Sequence, residues 1–264
     1  MLNADAFDRY HNAIETIADQ SAAEVVDMLR KAWRSSPAVS ASARRETLKT
    51  MVEEAAPAVA RRYGLASAEV AAALWEDIYT SDTGAHMEAL VADLDDETYF
   101  GPAATTIVQG HAISEGLDGA SRALSAFAHA MVMDFARQTI VQNTRRVARS
   151  RRRGYDKARW IRVPTGDKTC AWCMMLASRG PVYYTEDTAG GDEFHGTEMD
   201  RFHSYCDCEI VAAFSDAPEL DGYSWQEYEA MYRDAIAYKP GKMKAEIVDL
   251  NETLSNMRRM YGLK

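Results

Sequence analysis

Apolar residues recur at helical spacing along much of the first 150 residues. A helix is predicted to begin at Ser21, because Ser21 and Glu24 form a capping-box pattern ahead of an apolar run. A second helix is predicted over about 45–63 and a third over about 67–78, with Gly64 ending the second. The pattern therefore predicts a helical N-terminal region.

The most regular apolar stripe predicts a single long helix over about 119–149. Leu124, Phe127, Met131 and Phe135 follow one another at steps of three, four and four, which is the spacing of one helical face. At 1.5 Å per residue, thirty residues measure roughly 45 Å. We expect a helix of this length to act as a spine that crosses a bundle or links two modules.

The pattern changes at Trp160, where short β-prone runs alternate with glycine and proline. The runs "WIRVPTGDKTC" and "CDCEIVAAF" predict a small α+β module. Ser224 and Glu227 form a capping box ahead of a further helix. A final amphipathic helix is predicted in "AEIVDLNETLSNMRRMYG", with these residues on one face: Ile247, Leu250, Leu254 and Met257.

Together these patterns predict a mainly α fold in three parts. The first is a helical region over 1–154 that contains the long spine helix. The second is a small α+β module over 155–216, and the third is a pair of C-terminal helices over 217–264.

Composition narrows the classes of protein to which the chain can belong. A hydrophobic content of 47% and a charged content of 27% are ordinary for soluble globular proteins. The net charge of −10 argues against a chain that binds nucleic acid non-specifically over its whole surface. No secretory signal pattern and no apolar run of membrane-spanning length is visible, so we expect cytoplasmic synthesis and reduced thiols.

All four cysteines lie in two tight groups, which is typical of a structural zinc site. The pattern is C-x2-C followed by H-x2-C-x-C, and it offers five candidate ligands: Cys170, Cys173, His203, Cys206 and Cys208. Zinc takes four such ligands, supplied in pairs by short turns. Three alternatives are less favoured: two disulfides, because the compartment is reducing; a redox pair, because no βαβ pattern surrounds it; and free buried thiols, which are common in protein cores.

The sequence leaves the exact ligand set open. Cys170, Cys173, His203 and Cys206 form the preferred set, with Cys208 as a substitute or an adjacent thiol. If "CDCEIV" is extended, however, Cys206 and Cys208 project from the same face of the strand. We expect a closed structural site, since no H-E-x-x-H motif or deaminase motif accompanies the cysteines.

One strongly basic stretch follows the spine helix. The segment 145–162 holds nine Lys or Arg residues and one acidic residue, Asp156. It is either a solvated helix end or a docking surface for acidic protein or nucleic acid. The candidate binding residues are Arg145, Arg146, Arg149, Arg151, Arg152 and Arg153.

No motif in the sequence predicts catalysis. The chain has no G-x-S-x-G elbow, no P-loop and no G-x-G-x-x-G fingerprint. His129 lies within the predicted spine helix and is expected to be a packed or half-exposed residue. We therefore expect a protein without enzymatic activity.

The segment 155–215 resembles the C-terminal signature of Mu F-like minor head proteins of tailed bacteriophages, especially those of actinobacterial phages. The matching positions are Cys170, Cys173, Gly180 to Tyr183, His203, Cys206 and Cys208. The resemblance implies a role in head morphogenesis, inside the procapsid and associated with the portal. It also implies portal, scaffold and major capsid proteins as partners, with packaged DNA as a further candidate and no membrane.

The resemblance also carries an alternative function. Relatives in actinobacterial phages are often labelled capsid maturation proteases, which would act on scaffold or capsid protein. The residues of this chain show no serine, cysteine or metal protease constellation, so the structural role is preferred.

Overall fold

The computed structural model describes residues 4–35, 41–94, 110–111, 115–150, 158–165, 169–181, 208–215, 223–238 and 249–264. Of these residues 76% are helical, which confirms the mainly α fold. The helices are α1 (Ala4–Ser35), α2 (Ala41–Thr83), α3 (Gly116–Arg149), α4 (Ala171–Ala177), α5 (Trp225–Ala237) and α6 (Leu250–Tyr261). The strands β1 (Arg159–Pro164) and β2 (Cys208–Ala213) form one antiparallel pair.

None of the helices in the described ranges combines the length and the apolar character that crossing a membrane requires.

Helix α1 begins well before Ser21, so the predicted helix start is wrong. Ser21 is fully buried in the middle of the helix. Glu24 does not cap the helix; its carboxylate accepts hydrogen bonds from Arg62 Nη2 at 2.6 Å and Tyr63 Oη at 2.8 Å. The helix extends towards the N-terminus because an earlier set of residues at helical spacing is also buried: Phe7, Tyr10, Ile14 and Ala18.

Helix α2 is continuous, so the predicted break at Gly64 is also wrong. Gly64 lies where α2 passes close to α3. A Cβ atom at this position would lie 2.4–2.7 Å from three ring atoms of Phe135. One turn further along α2, the Ser67 hydroxyl lies 2.7 Å from the carbonyl oxygen of Val132. Gly64 is therefore required by close helix packing and not by a helix end.

Arg9–Ala73 and Leu90–Thr139 form one compact unit with a three-helix core. The predicted stripe on α3 is confirmed, since Leu124, Met131 and Phe135 are buried and Phe127 is partly buried. The main cluster takes side chains from α1, α2 and α3, namely Val25, Leu29, Ala32, Val52, Ala56, Val59, Ala120, Leu124 and Ala128.

Met1–Asp8, Leu74–Ala89 and Ile140–Lys264 form a second compact unit. Within it Trp75 stacks on Tyr79, and the ring of Phe214 lies edge-on to both. The backbone N–H of Phe214 donates to Asp82 Oδ2 at 3.0 Å. The residue after β2 is thus fixed to the last turns of α2. The predicted division into 1–154, 155–216 and 217–264 stays a prediction.

A hydrogen-bonded pair in the first unit makes its stability depend on pH. His129 Nε2 lies 3.1 Å from Glu15 Oε2, and this hydrogen bond holds the pKa of Glu15 below its ordinary value, against the opposing effect of burial. A carboxylate with a lowered pKa stabilises the fold above its unfolded pKa, about 4.3, and this contribution is lost as pH falls. As pH falls from about 5 to about 3, the free energy of unfolding should decrease less in His129→Gln than in the wild type. Urea denaturation at several pH values checks this; equal pH dependence would contradict it.

Candidate metal centre

The antiparallel pairing of β1 and β2 places Cys208 at the start of a buried strand. Cys208 pairs with Pro164, and Ile210 pairs with Arg162, in an antiparallel register. Every residue of β2 is buried, so both faces of this strand are covered. Cys208 is therefore held within the protein by backbone pairing on a strand whose side chains are all packed.

Cys170 and Cys173 lie at the start of the short helix α4. Cys170 is the N-cap, and its Sγ accepts a hydrogen bond from the backbone N–H of Cys173 at 3.1 Å. The carbonyl oxygen of Cys170 accepts from the N–H of Met174 at 3.0 Å. The turn therefore directs a backbone donor at a sulfur that would carry negative charge when bound to a metal.

The structure brings together three of the five predicted ligands. Cys170, Cys173 and Cys208 form one buried cluster, with Trp172 packed against it. Their exposed fractions are 8%, 1% and 0%, and no disulfide joins any of the three to another. One cysteine of the second group, Cys208, therefore lies against the Cys170–Cys173 pair, although the two are far apart in the sequence.

The other two predicted ligands, His203 and Cys206, lie outside the described residues. Among the residues that are described, no group of three or more His, Cys, Asp or Glu side chains is arranged to hold a metal ion. The chemistry of the donors nevertheless fits zinc, because buried thiols with an N–H···S hydrogen bond are soft ligands in a dry site. The zinc site and its ligand set stay predictions.

An apolar cluster lies next to the cysteines and contains residues of α4, α5 and α6. Its buried members are Ala171, Met174, Met175, Leu176, Ala235, Leu254 and Met257. The predicted face of the last helix is confirmed for Leu254, Met257 and the partly buried Leu250, while Ile247 lies outside the described residues. The predicted cap at Ser224 is also confirmed, since its hydroxyl accepts from the N–H of Glu227 at 3.3 Å.

Tyr228 of α5 lies within electrostatic reach of this cysteine cluster. Burial raises the pKa of Tyr228, and the charges of Glu227 and Cys208 raise it further. The ring of Tyr228 also contacts that of Tyr223, whose hydroxyl donates to the carbonyl oxygen of Ala177 at 2.8 Å. Helix α5 is thereby fixed to the end of α4.

Sequence reasoning did not predict that two charged residues of the β1–β2 pair, Arg162 and Glu209, would be fully buried. They lie on opposite faces of the pair, since Arg162 is opposite Ile210 and Glu209 is opposite Val163. The signal was present in the sequence, because each interrupts an apolar β-prone run. Arg162 shares its face with Cys208.

The basic stretch begins on the last turns of α3. Arg149 is exposed, whereas Arg145 and Arg146 are half-buried. Arg146 Nη2 donates to the carbonyl oxygen of Glu88, so this guanidinium is partly used within the fold. Arg151, Arg152 and Arg153 lie outside the described residues, and the binding role of all six arginines stays a prediction.

Comparisons with known proteins give the family. The model of the VG15 protein family matches residues 1–235. The Gene 15 protein of Mycobacterium phage D29 is 36% identical, over 26% of this chain and 32% of that protein. The Gene 15 protein of Mycobacterium phage L5 is 29% identical, over 38% of this chain and 45% of that protein. No solved structure matches the chain.

The matched regions cover less than half the length of these two curated relatives. The narrower resemblance to Mu F-like head proteins is neither confirmed nor contradicted by these matches and stays a prediction. The VG15 match, by contrast, covers most of the chain and includes every candidate metal ligand. The chain therefore belongs to the VG15 protein family, a family with bacteriophage members.

Proposed function

We propose that this chain is a minor head protein of a tailed bacteriophage, that it acts in head morphogenesis, and that it carries a structural zinc ion. Family membership supports the phage context. The observation that carries the proposal is the buried cluster of Cys170, Cys173 and Cys208. These cysteines come from both halves of the motif that resembles Mu F-like head proteins.

Two of the zinc ligands in this proposal are Cys170 and Cys173. Packing of Cys208 against this pair favours Cys208 as the third ligand. Either His203 or Cys206 then completes the set of four. With four protein ligands, zinc has no open position for substrate or water, and its role is to stabilise the fold.

The surrounding structure explains why such a stabiliser is needed. The described part of this module contains one two-stranded sheet and a helix of seven residues. A two-stranded sheet by itself is marginally stable at best in water, so β1 and β2 depend on what else joins them to the rest of the fold. A metal that joins β2 to the start of α4 would link elements that are separated by a long connection in the sequence.

The proposal places the protein inside the procapsid, in contact with the portal. The basic stretch that follows α3 would face portal, scaffold or packaged DNA, except for its last residue, Arg162, which is fully buried in β1. This concentration of charge is suited to acidic protein surfaces or to phosphates.

A phage that lacks this gene tests the proposed role. We expect its heads to be defective, wild-type chain to restore infectious particles, and the chain to be found by mass spectrometry in purified procapsids. Cys173→Ser should fail to restore them, whereas Ser255→Ala, at an exposed position of α6, should succeed. Absence of the chain from both procapsids and virions would refute the proposal. Shortening of capsid or scaffold protein that depends on the chain would favour the maturation protease.

A further inference from the structure

The last residue of the sequence, Lys264, is hydrogen-bonded to the backbone on both sides of Cys170. The Lys264 N–H donates to the carbonyl oxygen of Thr169 at 3.1 Å, and the Ala171 N–H donates to the carbonyl oxygen of Lys264 at 3.0 Å. This is the hydrogen-bond pattern of a parallel β-bridge with Lys264 opposite Cys170. One residue of the chain thus fixes the backbone of the first cysteine of the C-x2-C turn.

The end of α6 directs the chain towards this turn. Gly262 caps the helix in the left-handed conformation, with φ of 67°, and its N–H donates to the carbonyl oxygen of Arg258 at 3.0 Å. Leu263 is half-buried and packs against the apolar cluster of α4, α5 and α6. We call Gly262–Lys264 the closing segment.

The closing segment also supplies a hydrogen-bond acceptor to the first turn of α4. The N–H of Ala171 belongs to the first turn of this helix, where amides have no partner within the helix. The carbonyl oxygen of Lys264 accepts from it, while Cys170 Sγ accepts from the N–H of Cys173. The backbone around Cys170 can therefore move only if these bonds break together.

We infer that the closing segment holds Cys170 in its metal-binding geometry and restricts access to its sulfur. The part of this inference that concerns the metal rests on the proposed zinc site. On this inference a metal leaves through opening of the C-x2-C turn, and that opening breaks both hydrogen bonds to Lys264. Outer partners that orient metal ligands typically change metal affinity by about 10–100-fold.

The same geometry couples the metal to α6. The closing segment follows α6 directly, and α6 packs on α4 through Leu254 and Met257. Binding free energies are reciprocal, so a metal that stabilises the turn also stabilises the docked position of α6. Undocking of α6 would correspondingly weaken metal binding.

A matched pair of substitutions at one position tests the inference in the full chain. Lys264→Pro removes the N–H that donates to Thr169, while Lys264→Ala keeps both backbone groups. We expect Lys264→Pro to lose zinc to a chromogenic chelator about 10-fold faster or more, and Lys264→Ala to match the wild type. Peptide mass mapping should also show that iodoacetamide alkylates Cys170 faster in Lys264→Pro than in Lys264→Ala or the wild type.

A second variant covers the case in which Lys264→Pro lowers the melting temperature. Leu263→Ala keeps the backbone hydrogen-bonding groups but removes the packed side chain that anchors the closing segment, so it should also speed zinc loss. If zinc is present but both Lys264 variants and Leu263→Ala behave as the wild type, the inference is overturned and the zinc site stands.

If the wild type contains no zinc, the zinc proposal fails and Cys170 alkylation decides the inference alone. Equal alkylation rates in the proline and alanine variants would then overturn it. Faster alkylation in Lys264→Pro would support it.

Discussion

Replacing Cys173 by serine is expected to release the zinc and to unfold the region that contains β1, β2 and α4. Cys173 is 1% exposed and belongs to the three-cysteine cluster. Its sulfur is therefore inside the protein and does not bind partners at the surface. Zinc binding to zinc-finger peptides contributes about 10–16 kcal/mol at neutral pH. Even a loss of about 5 kcal/mol would lower the melting temperature by roughly 10–20 °C.

Two measurements separate loss of metal from loss of packing. The wild type should contain about one zinc per chain by elemental analysis, and a chelator should lower its melting temperature towards that of Cys173→Ser. The variant itself should not respond to the chelator. Met175→Leu is the control, because it changes a buried side chain of the same helix at similar volume and should cost less than about 1.5 kcal/mol.

A wild type that is metal-free, folded and indifferent to the chelator would refute the zinc site. The cysteine cluster would then be a packed apolar contact, and Cys173→Ser would cost only what a buried hydroxyl costs, about 1–3 kcal/mol. The two readings thus differ both in the size of the effect and in its dependence on metal.

The sequence predicted the elements that local patterns determine. The spacing of apolar residues was enough to predict α3 and the buried face of α6, and a capping pattern was enough to predict the start of α5 at Ser224. The spacing of the cysteines predicted a common site, and Cys208 does pack against Cys170 and Cys173, while the ligand set itself stays a prediction. In each case the determining interactions lie within one element or within one metal-binding motif.

The remaining features depend on contacts between distant residues. Ser21 and Glu24 have the form of a capping box, but burial of the residues before them continues the helix. Cys208 pairs with Pro164, and Lys264 pairs with the residues around Cys170. Both pairings are tertiary contacts that no local sequence pattern predicts. Arg162 and Glu209 are likewise buried by residues outside their own strands. Local propensity is a weak prior wherever tertiary packing opposes it.

Gly64 is the clearest case of tertiary packing, and its replacement by alanine is expected to destabilise the three-helix core. Alanine is favoured over glycine within a helix by about 1 kcal/mol, so local propensity alone predicts a gain in stability. The new Cβ, however, would lie 2.4 Å from the nearest ring atom of Phe135. The ring is fully buried among Ala60, Ala68 and Met131, so a shift of the ring has to displace these packed side chains.

We expect the steric cost to exceed the gain in propensity. Overpacking a dense core typically costs about 1–3 kcal/mol and occasionally more, and a contact this short with a buried ring belongs at the upper end. Gly64→Ala should therefore lose about 1–2 kcal/mol net in urea denaturation. A larger loss is expected for Gly64→Val, which adds two further methyl groups at the same contact.

In a Phe135→Ala variant, the expected effect of Gly64→Ala on stability changes from a loss to a gain. Removing the ring costs about 3–5 kcal/mol by itself, but it also removes the three atoms nearest to a Cβ on Gly64. In this background Gly64→Ala should stabilise the protein by up to about 1 kcal/mol through helix propensity. The two sites are in contact, so their effects cannot add. If Gly64→Ala stabilises the wild type as well, Gly64 lies in α2 for a reason other than the ring of Phe135.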